Sequence, residues 1–342
     1  MSCCAECFGD RGLRRDIIPM NSIAQGRCPY CETEEVALVE PAELAEYFEL
    51  LASAYRPDPA GKILVEWFRE DWAMFRHPRM DNPRAKDLLA EILDDGEIVR
   101  HTFSPASDPA TDRLSEWEVF RDELMYRNRY FPEATIDLER LESLLSPLTL
   151  DSDEVPTQWF RARIQAGDTV YAAAEMGAPP KRSASHGRAN PAGIPYLYLG
   201  SSPEVAISEV RPHTGERACV ADFTTPADLK LVDLRNPRAM VSPFLLEDAA
   251  DIGRMRNDLP FLERLGYELT RPVLPLSAAI DYTPSQYLCE FIKHCGYKGV
   301  IYRSSVRDDG MNLALFDPRL AQCSEVAQYH VVRVDVAIAE GN

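Results

Sequence analysis

Long apolar runs are absent from this chain of 342 residues. A helix that crosses a bilayer needs about 18–20 consecutive apolar residues, and no stretch of the sequence approaches that length. The N-terminal segment MSCCAECFGDRGLRR also lacks the apolar core of a secretion signal. These two absences predict a cytoplasmic protein with no membrane partner.

Positive charge is scarce as well, because 37 Lys and Arg side chains stand against 55 Asp and Glu, for a net charge of −18. Residues 1–150 hold 17 basic and 30 acidic side chains, whereas residues 151–342 hold 20 and 25. Nucleic-acid binding needs cationic surface that displaces counterions. The composition therefore argues against a nucleic-acid partner, while a local basic pocket for a small anion stays compatible with it.

Cysteine, in contrast, is concentrated at the N-terminus, where five of the nine cysteines fall within residues 1–38. Four of them form two Cys-x2-Cys pairs separated by 20 residues: Cys4, Cys7, Cys28 and Cys31. Two such pairs supply the four thiolates of a structural zinc site, and a reducing cytoplasm disfavours two disulfides in their place. The spacing predicts a zinc knuckle over residues 1–38, with Cys3 as an alternative ligand to its neighbour Cys4.

A helical pattern follows from about residue 41 to residue 148. In the stretch PAELAEYFELLASAYR, for example, Leu44, Phe48 and Leu51 recur at helical spacing. The sequence predicts a small helical domain over residues 39–150, with the polar, proline-flanked segment SPLTLDSDEVP as the linker behind it. Large aromatic residues are its expected core: Trp67, Trp72, Phe75 and Trp117.

Short β-rich runs replace the helical pattern beyond the linker. They are WFRARI, YLYLG, ACVADF, LKLVDL, GVIYRS, NLALF and YHVVRVDVAI. Two helical stretches lie between them, near 243–265 and 284–295, and Gly296 is placed to end the second. Short strands interspersed with few helices predict a compact α+β domain over residues 151–342.

Polar side chains recur beside these predicted strands. WFRAR places Arg161 and Arg163 two residues apart, on one face of a strand. The turn HGRANPAGIP holds three further residues with unusual backbone or hydrogen-bonding capacity: Gly187, Arg188 and Asn190. Tyr198 lies on the next strand, and Glu209 lies on the helical segment behind it. Ser304, Ser305 and Asn312 surround the turn between the last two buried strands. Each of these features alone has an ordinary structural explanation.

Their order and spacing together resemble the RES domain family, which is named for its arginine, glutamate and serine. The resemblance covers about residues 156–335 and rests on FRAR, GRANPAGIPYLYLGSSPEVAISEVRP and GYKGVIYRSSVRDDGMNLALF. It implies a mixed α/β fold similar to that of ADP-ribosyltransferases and a relationship to bacterial toxin–antitoxin modules. The N-terminal part resembles the cysteine-rich and helical, HEPN-like extensions that precede some RES domains.

The resemblance also assigns roles to individual residues. The family's catalytic residues correspond to Arg161, Glu209 and Ser304, with Arg163 as an alternative for the arginine and Ser305 as an alternative for the serine. Its substrate-binding positions correspond to Arg163, Gly187, Arg188, Asn190, Tyr198, Ser305 and Asn312. Members often carry Trp or Phe inside the turn, where this chain has Ala189, so the packing there is expected to differ.

The implied substrate is NAD, cleaved at the nicotinamide–ribose bond. Breaking that bond creates an oxocarbenium-like cation, which Glu209 is expected to stabilise. The planar guanidinium groups of Arg161 and Arg188 suit the pyrophosphate, and Tyr198 offers an aromatic face to the nicotinamide ring. The acceptor stays open among water, inorganic phosphate and a protein side chain.

Two other functional classes remain open at this level. The chain is alternatively a protein ADP-ribosyltransferase, or a module that binds a nucleotide or a protein without catalysis. The resemblance further implies an antitoxin or other regulatory partner, and it leaves the oligomeric state undetermined.

Overall fold

The computed structural model describes residues 1–106 and 113–335. The chain divides into two compact units, one formed by residues 1–117 with 236–263 and the other by 118–235 with 264–342. The sequence-based domain limits at 38 and 150 stay predictions. None of the helices in the described ranges has the length and apolar character that a membrane span requires.

The described residues include α-helices of 4 to 22 residues. The helices are α1 (Ala5–Phe8), α2 (Ile18–Asn21), α3 (Ala45–Ser53), α4 (Leu64–Trp72), α5 (Asn82–Leu93), α6 (Arg113–Tyr126), α7 (Leu138–Leu145), α8 (Pro203–Glu209), α9 (Pro237–Met240), α10 (Ala249–Thr270), α11 (Ala278–Asp281) and α12 (Thr283–His294).

The strands form two small antiparallel ribbons and one large sheet. They are β1 (Ala24–Gly26), β2 (Val36–Leu38), β3 (Tyr55–Lys62), β4 (Phe103–Pro105), β5 (Gln158–Ile164), β6 (Leu197–Gly200), β7 (Arg217–Thr224), β8 (Leu231–Asp233), β9 (Gly299–Arg303), β10 (Met311–Leu315) and β11 (Gln322–His330).

The first unit is built around a cluster of aromatic rings. Phe48 on α3 lies with its ring centroid 5.3 Å from that of Phe8, 6.3 Å from that of Phe68 and 4.8 Å from that of Phe244. Buried rings of this kind supply a large share of a core's apolar area. Because Phe244 belongs to the segment 236–263, this core depends on two distant parts of the chain.

The predicted core aromatics of this unit are buried in three of four cases. Trp72, Phe75 and Trp117 have at most 2% of their surface exposed, whereas Trp67 is half-buried and donates its indole N–H to Phe103 O over 2.6 Å. Trp67 thus bonds to β4 of the ribbon β3–β4, which the helical prediction did not contain. The β3 segment YRPDPAGK is rich in proline and glycine, so its sequence resembles a turn.

The second unit contains a seven-stranded sheet in the order β11-β7-β5-β6-β10-β9-β8. All neighbouring strands are antiparallel except β8 and β9, which are parallel. This mixed sheet with flanking helices confirms the predicted α+β class. The predicted position of the last strand was wrong. The prediction placed it in the run YHVVRVDVAI, which begins at Tyr329 and continues beyond the described residues, whereas β11 spans Gln322–His330.

The sheet brings three candidate strands side by side. Phe160 on β5 and Asn312 on β10 both pair with Gly200 at the end of β6. A Cβ atom on Gly200 would lie 2.9 Å from the backbone nitrogen of Ala206, so the absence of a side chain lets α8 approach β6 closely. Ser202 caps that helix by accepting a hydrogen bond from Val205 N over 3.2 Å.

Candidate functional site

Four cysteines of the first unit converge in a buried cluster. The side-chain sulfurs of Cys4, Cys7, Cys28 and Cys31 all lie within 4.8 Å of one another. The pairs Cys4–Cys31 and Cys7–Cys28 are each separated by 3.4 Å. Cys3 is fully buried but lies outside this group. Of the two alternatives in the sequence, the geometry therefore favours Cys4.

The donor set fits a tetrahedral zinc ion. A zinc–sulfur bond of about 2.3 Å places tetrahedral ligands ~3.8 Å apart, within the observed span of the four sulfurs. Hydrogen bonds from Cys4 and Cys7 lower the pKa of Cys28, while hydrogen bonding to Cys28 raises the pKa of Cys7. Four thiolates at this spacing need a divalent ion among them, because zinc ligands are deprotonated sulfurs.

The second unit contains a cavity of about 410 Å³ at the centre of its sheet. Residues of β5, β6 and β10 line it together with the turn before β6 and the end of α8. Most of the predicted site residues contribute to its wall: Arg161, Gly187, Arg188, Tyr198, Glu209, Ser305 and Asn312. Segments that are far apart in sequence thus meet at one concave surface large enough for a small ligand.

Glu209 is the acid of this cavity, and two neutral side chains hold it. Ser304 donates a hydrogen bond from Oγ to Glu209 Oε1 over 2.7 Å, and Asn312 donates from Nδ2 to the same oxygen over 2.6 Å. Both donors are at least 93% buried, since their exposed fractions are 7% and 4%. Glu209 Oε2 receives no hydrogen bond from the described residues, so one carboxylate oxygen is fixed and the other is available.

Ser304 itself does not belong to the cavity wall described above. Its contact with Glu209 makes it a positioning residue for the carboxylate. Asn312, in contrast, both lines the cavity and bonds to Glu209. The serine and the asparagine are therefore a pair of buried donors that orient one acid.

Arg161 enters the cavity from β5. Its Nη1 donates to the backbone oxygen of Tyr198 over 3.1 Å, while its buried Nε has no partner among the described residues. Burial, followed by the neighbouring charge of Arg163, lowers the pKa of Arg161. Since arginine stays protonated in proteins, the cavity contains a partly desolvated cation with an unsatisfied donor.

The turn before β6 is held together by the hydroxyl of Tyr198. That oxygen accepts from Ala189 N over 2.9 Å and from Asn190 N over 3.2 Å, and it donates to Asn190 Oδ1 over 2.7 Å. The Asn190 amide meanwhile donates to three backbone oxygens, those of Ser185, Pro191 and Ile194. Burial raises the pKa of Tyr198, so the hydroxyl stays protonated and keeps this turn in place.

Gly187 is required in the same turn for steric reasons. A Cβ atom there would lie 2.6 Å from the Tyr198 hydroxyl and would also collide with Asn190 Oδ1. Asn190 and Gly187 were both predicted to bind substrate. In the structure the Asn190 amide and Gly187 N bond to oxygens of this segment, whereas Gly187 O bonds to helix α12. Gly187 O accepts from Gln286 Nε2 over 2.8 Å.

Arg188 projects from this turn toward the last strands of the sheet. Its Nη1 donates to Arg271 O over 2.7 Å and its Nη2 donates to Ser305 Oγ over 3.2 Å. The guanidinium carbon also lies 5.3 Å from the centroid of the Tyr282 ring. Arg188 and Ser305 are therefore hydrogen-bonded at the cavity wall, and these contacts hold the guanidinium in one orientation.

Arg163 lies outside the cavity. Its guanidinium donates to Glu175 O and lies 4.7 Å from the centroid of the Tyr171 ring. Strand alternation places it on the same face as Arg161, but these two contacts hold its exposed side chain elsewhere.

Further cavity residues were missed by the sequence analysis. They are His186, Arg211, Tyr282 and Tyr302, among others. Burial raises the pKa of Tyr302 well above its ordinary value. Arg211 lies two residues after Glu209 in the same motif, and its positive charge at that place was a signal that could have found it.

Replacing Tyr198 with phenylalanine is expected to destabilise the second unit by about 2 kcal/mol. The change keeps the ring but leaves two buried N–H groups and the Asn190 carbonyl without their partner. Urea denaturation of the full chain would measure the loss. Tyr196→Phe is the matched control, because the buried Tyr196 hydroxyl has no partner in the described residues and its removal should cost nothing. Equal stability of both variants would contradict the assignment.

Comparison with known proteins finds similarity in the part of the chain that contains this cavity. The RES domain family model matches residues 158–335, which is just over half of the sequence. No curated protein matches. A toxin–antitoxin complex of M. tuberculosis, MbcT–MbcA, contains a similar solved chain with 16% identity and a TM-score of 0.33. That similarity covers 57% of this chain and 94% of the other. By the family match, this chain belongs to the RES domain family.

Proposed function

We propose that this protein cleaves NAD at the bond between nicotinamide and ribose. The observation that carries the proposal is Glu209, whose Oε1 is fixed by two buried donors while Oε2 is available at the wall of a 410 Å³ cavity. A carboxylate held this way can stabilise positive charge without reorganising during the reaction. The cavity's arginines and the match to the RES family also support an anionic nucleotide substrate.

The bond that breaks is the one from ribose C1′ to the nicotinamide nitrogen. Its electron pair leaves with the nitrogen, which is cationic in NAD and becomes neutral, and the positive charge moves to the ribose. Glu209 stabilises that charge, directly or by accepting a hydrogen bond from a ribose hydroxyl at Oε2. In hydrolysis, water then adds at C1′ and releases a proton, so the products are nicotinamide and ADP-ribose.

The other residues of the cavity bind and position in this proposal. Arg161 offers the guanidinium donors that Tyr198 O leaves free, and Arg188 offers those that Arg271 and Ser305 leave free. Charge-assisted hydrogen bonds of this kind suit a pyrophosphate. Tyr198 keeps the turn in shape through its hydroxyl while its ring lies at the cavity wall.

Incubation of the purified protein with NAD, with and without inorganic phosphate, tests the proposal. Mass spectrometry is expected to show nicotinamide and ADP-ribose in the absence of phosphate. A product heavier by one phosphate would identify phosphorolysis, and ADP-ribose attached to protein would identify a transferase. Unchanged NAD under both conditions, from protein shown to be folded, would overturn the proposal in favour of a binding module.

We also propose that zinc occupies the four-cysteine cluster as a structural ion, and that the protein acts as a toxin or defence effector by depleting NAD. An activity of this kind has to be restrained in the cell that makes it. An antitoxin or another regulatory protein is therefore the expected partner.

A further inference from the structure

Arg211 differs from the other two arginines at the cavity wall. Arg161 and Arg188 both donate hydrogen bonds to backbone oxygens, of Tyr198 and Arg271 respectively. The guanidinium of Arg211 makes no hydrogen bond or ion pair with any described residue, although its side chain is exposed at the cavity wall. A guanidinium has five N–H donors and no acceptor. Arg211 is therefore the cavity arginine whose complete planar fork is available to a ligand.

The backbone of Arg211 is strained. Its φ of +48° lies in the left-handed region, which non-glycine residues seldom occupy. It also directly precedes Pro212, and a residue before proline normally takes an extended conformation. Strain of this type persists where the surrounding structure imposes it, and it is concentrated at binding and catalytic sites. Glycine would relieve the strain at this position, yet the sequence has arginine.

A structural role for the side chain is the simpler alternative. Arg211 follows the C-terminal end of α8, and a cation there interacts favourably with the helix dipole. That benefit is smaller than the cost of the left-handed conformation. Arginine is therefore no more stabilising than glycine at this position, and a stabilising role alone does not account for it.

We infer that Arg211 binds the phosphate groups of the substrate and makes the cavity specific for a phosphate-bearing nucleotide. The inference rests on the proposed function for the identity of the substrate. It extends that function by naming a residue that recognises the pyrophosphate independently of the bond that breaks. Arginine is suited to this because its fork donates two parallel hydrogen bonds to one phosphate.

Steady-state cleavage of NAD by Arg211→Gly, Arg211→Lys and wild type tests the inference. Arg211→Gly is expected to raise KM by about 10- to 100-fold, the loss of a charge-assisted pair, and to change kcat by less than about 3-fold, because the contact is made equally in ground and transition states. Lysine keeps the charge without the fork, so its KM should lie between the two. Arg182→Ala is the control, because Arg182 is an exposed arginine outside the cavity, and it should match wild type.

Two further measurements distinguish a failure of this inference from a failure of the proposed function. Calorimetric titration with ADP, which carries a pyrophosphate but no bond to cleave, should show the same order of affinities even if NAD is not turned over. The melting temperature of Arg211→Gly should stay within about 4 °C of wild type or rise. Equal ADP affinity and equal KM for wild type and Arg211→Gly, or no ADP binding by wild type, would overturn the inference.

Discussion

Glu209→Gln is expected to lower NAD cleavage by about 10³-fold, the size of effect seen when a charge-stabilising group is removed from a preorganised site. The glutamine carbonyl can still accept from Ser304 Oγ and Asn312 Nδ2, which hold the same oxygen in the wild type. The shape of the site is therefore kept while the negative charge is lost. Release of nicotinamide, followed by chromatography, would measure the change.

Glu204→Gln is the matched control for that variant, because it makes the same substitution on the same helix at an exposed position outside the cavity. It should retain wild-type turnover. Expression of the two variants in bacteria extends the comparison, since Glu204→Gln should arrest growth and Glu209→Gln should not. Turnover of Glu209→Gln within tenfold of wild type would remove the acid from the proposed chemistry.

Cys28→Ser is expected to abolish metal binding and to lower the free energy of unfolding of the first unit by more than about 3 kcal/mol. Cys28 is the informative ligand, because no adjacent cysteine can replace it as Cys3 can replace Cys4. Elemental mass spectrometry should find one zinc per wild-type chain and none in the variant. Thermal unfolding with and without a chelator would show the loss of stability.

Cys3→Ala provides the control, since Cys3 is equally buried but its sulfur lies outside the cluster. It should bind one zinc and respond to chelator as wild type does. A full equivalent of zinc in Cys28→Ser, or wild type that contains no metal and ignores the chelator, would contradict the proposed metal site.

The sequence allowed the sheet and the charged positions of the site to be predicted because both depend on local patterns. Short β-rich runs located β5, β6, β9 and β10, and the order of the family's motifs supplied Arg161, Glu209 and Ser304 as candidates. These features are readable since each strand's period and each motif's spacing lie within one short stretch of chain.

What the sequence did not reveal depends on which atoms meet in space. Tyr198 was expected to offer its ring, but its hydroxyl is bonded to three groups of the preceding turn. Arg163 shares a strand face with Arg161, yet Glu175 O and the Tyr171 ring hold it away. Spacing and composition do not indicate which hydrogen-bond partners a side chain meets in the folded chain, so neither outcome could be predicted from the sequence.

The aromatic core of the first unit determines which fragments of this protein can be handled separately. Phe244 packs against Phe48, Ser242 donates to Asp10 over 2.8 Å, and Arg256 pairs with Asp71 over 2.5 Å. A fragment that begins after the linker would carry the segment 236–263 without any of these contacts. Its buried apolar side chains would face water and favour aggregation. Removal of the N-terminal region is thus expected to destabilise segment 236–263 in the remaining chain, and it does not yield an independently folded second unit.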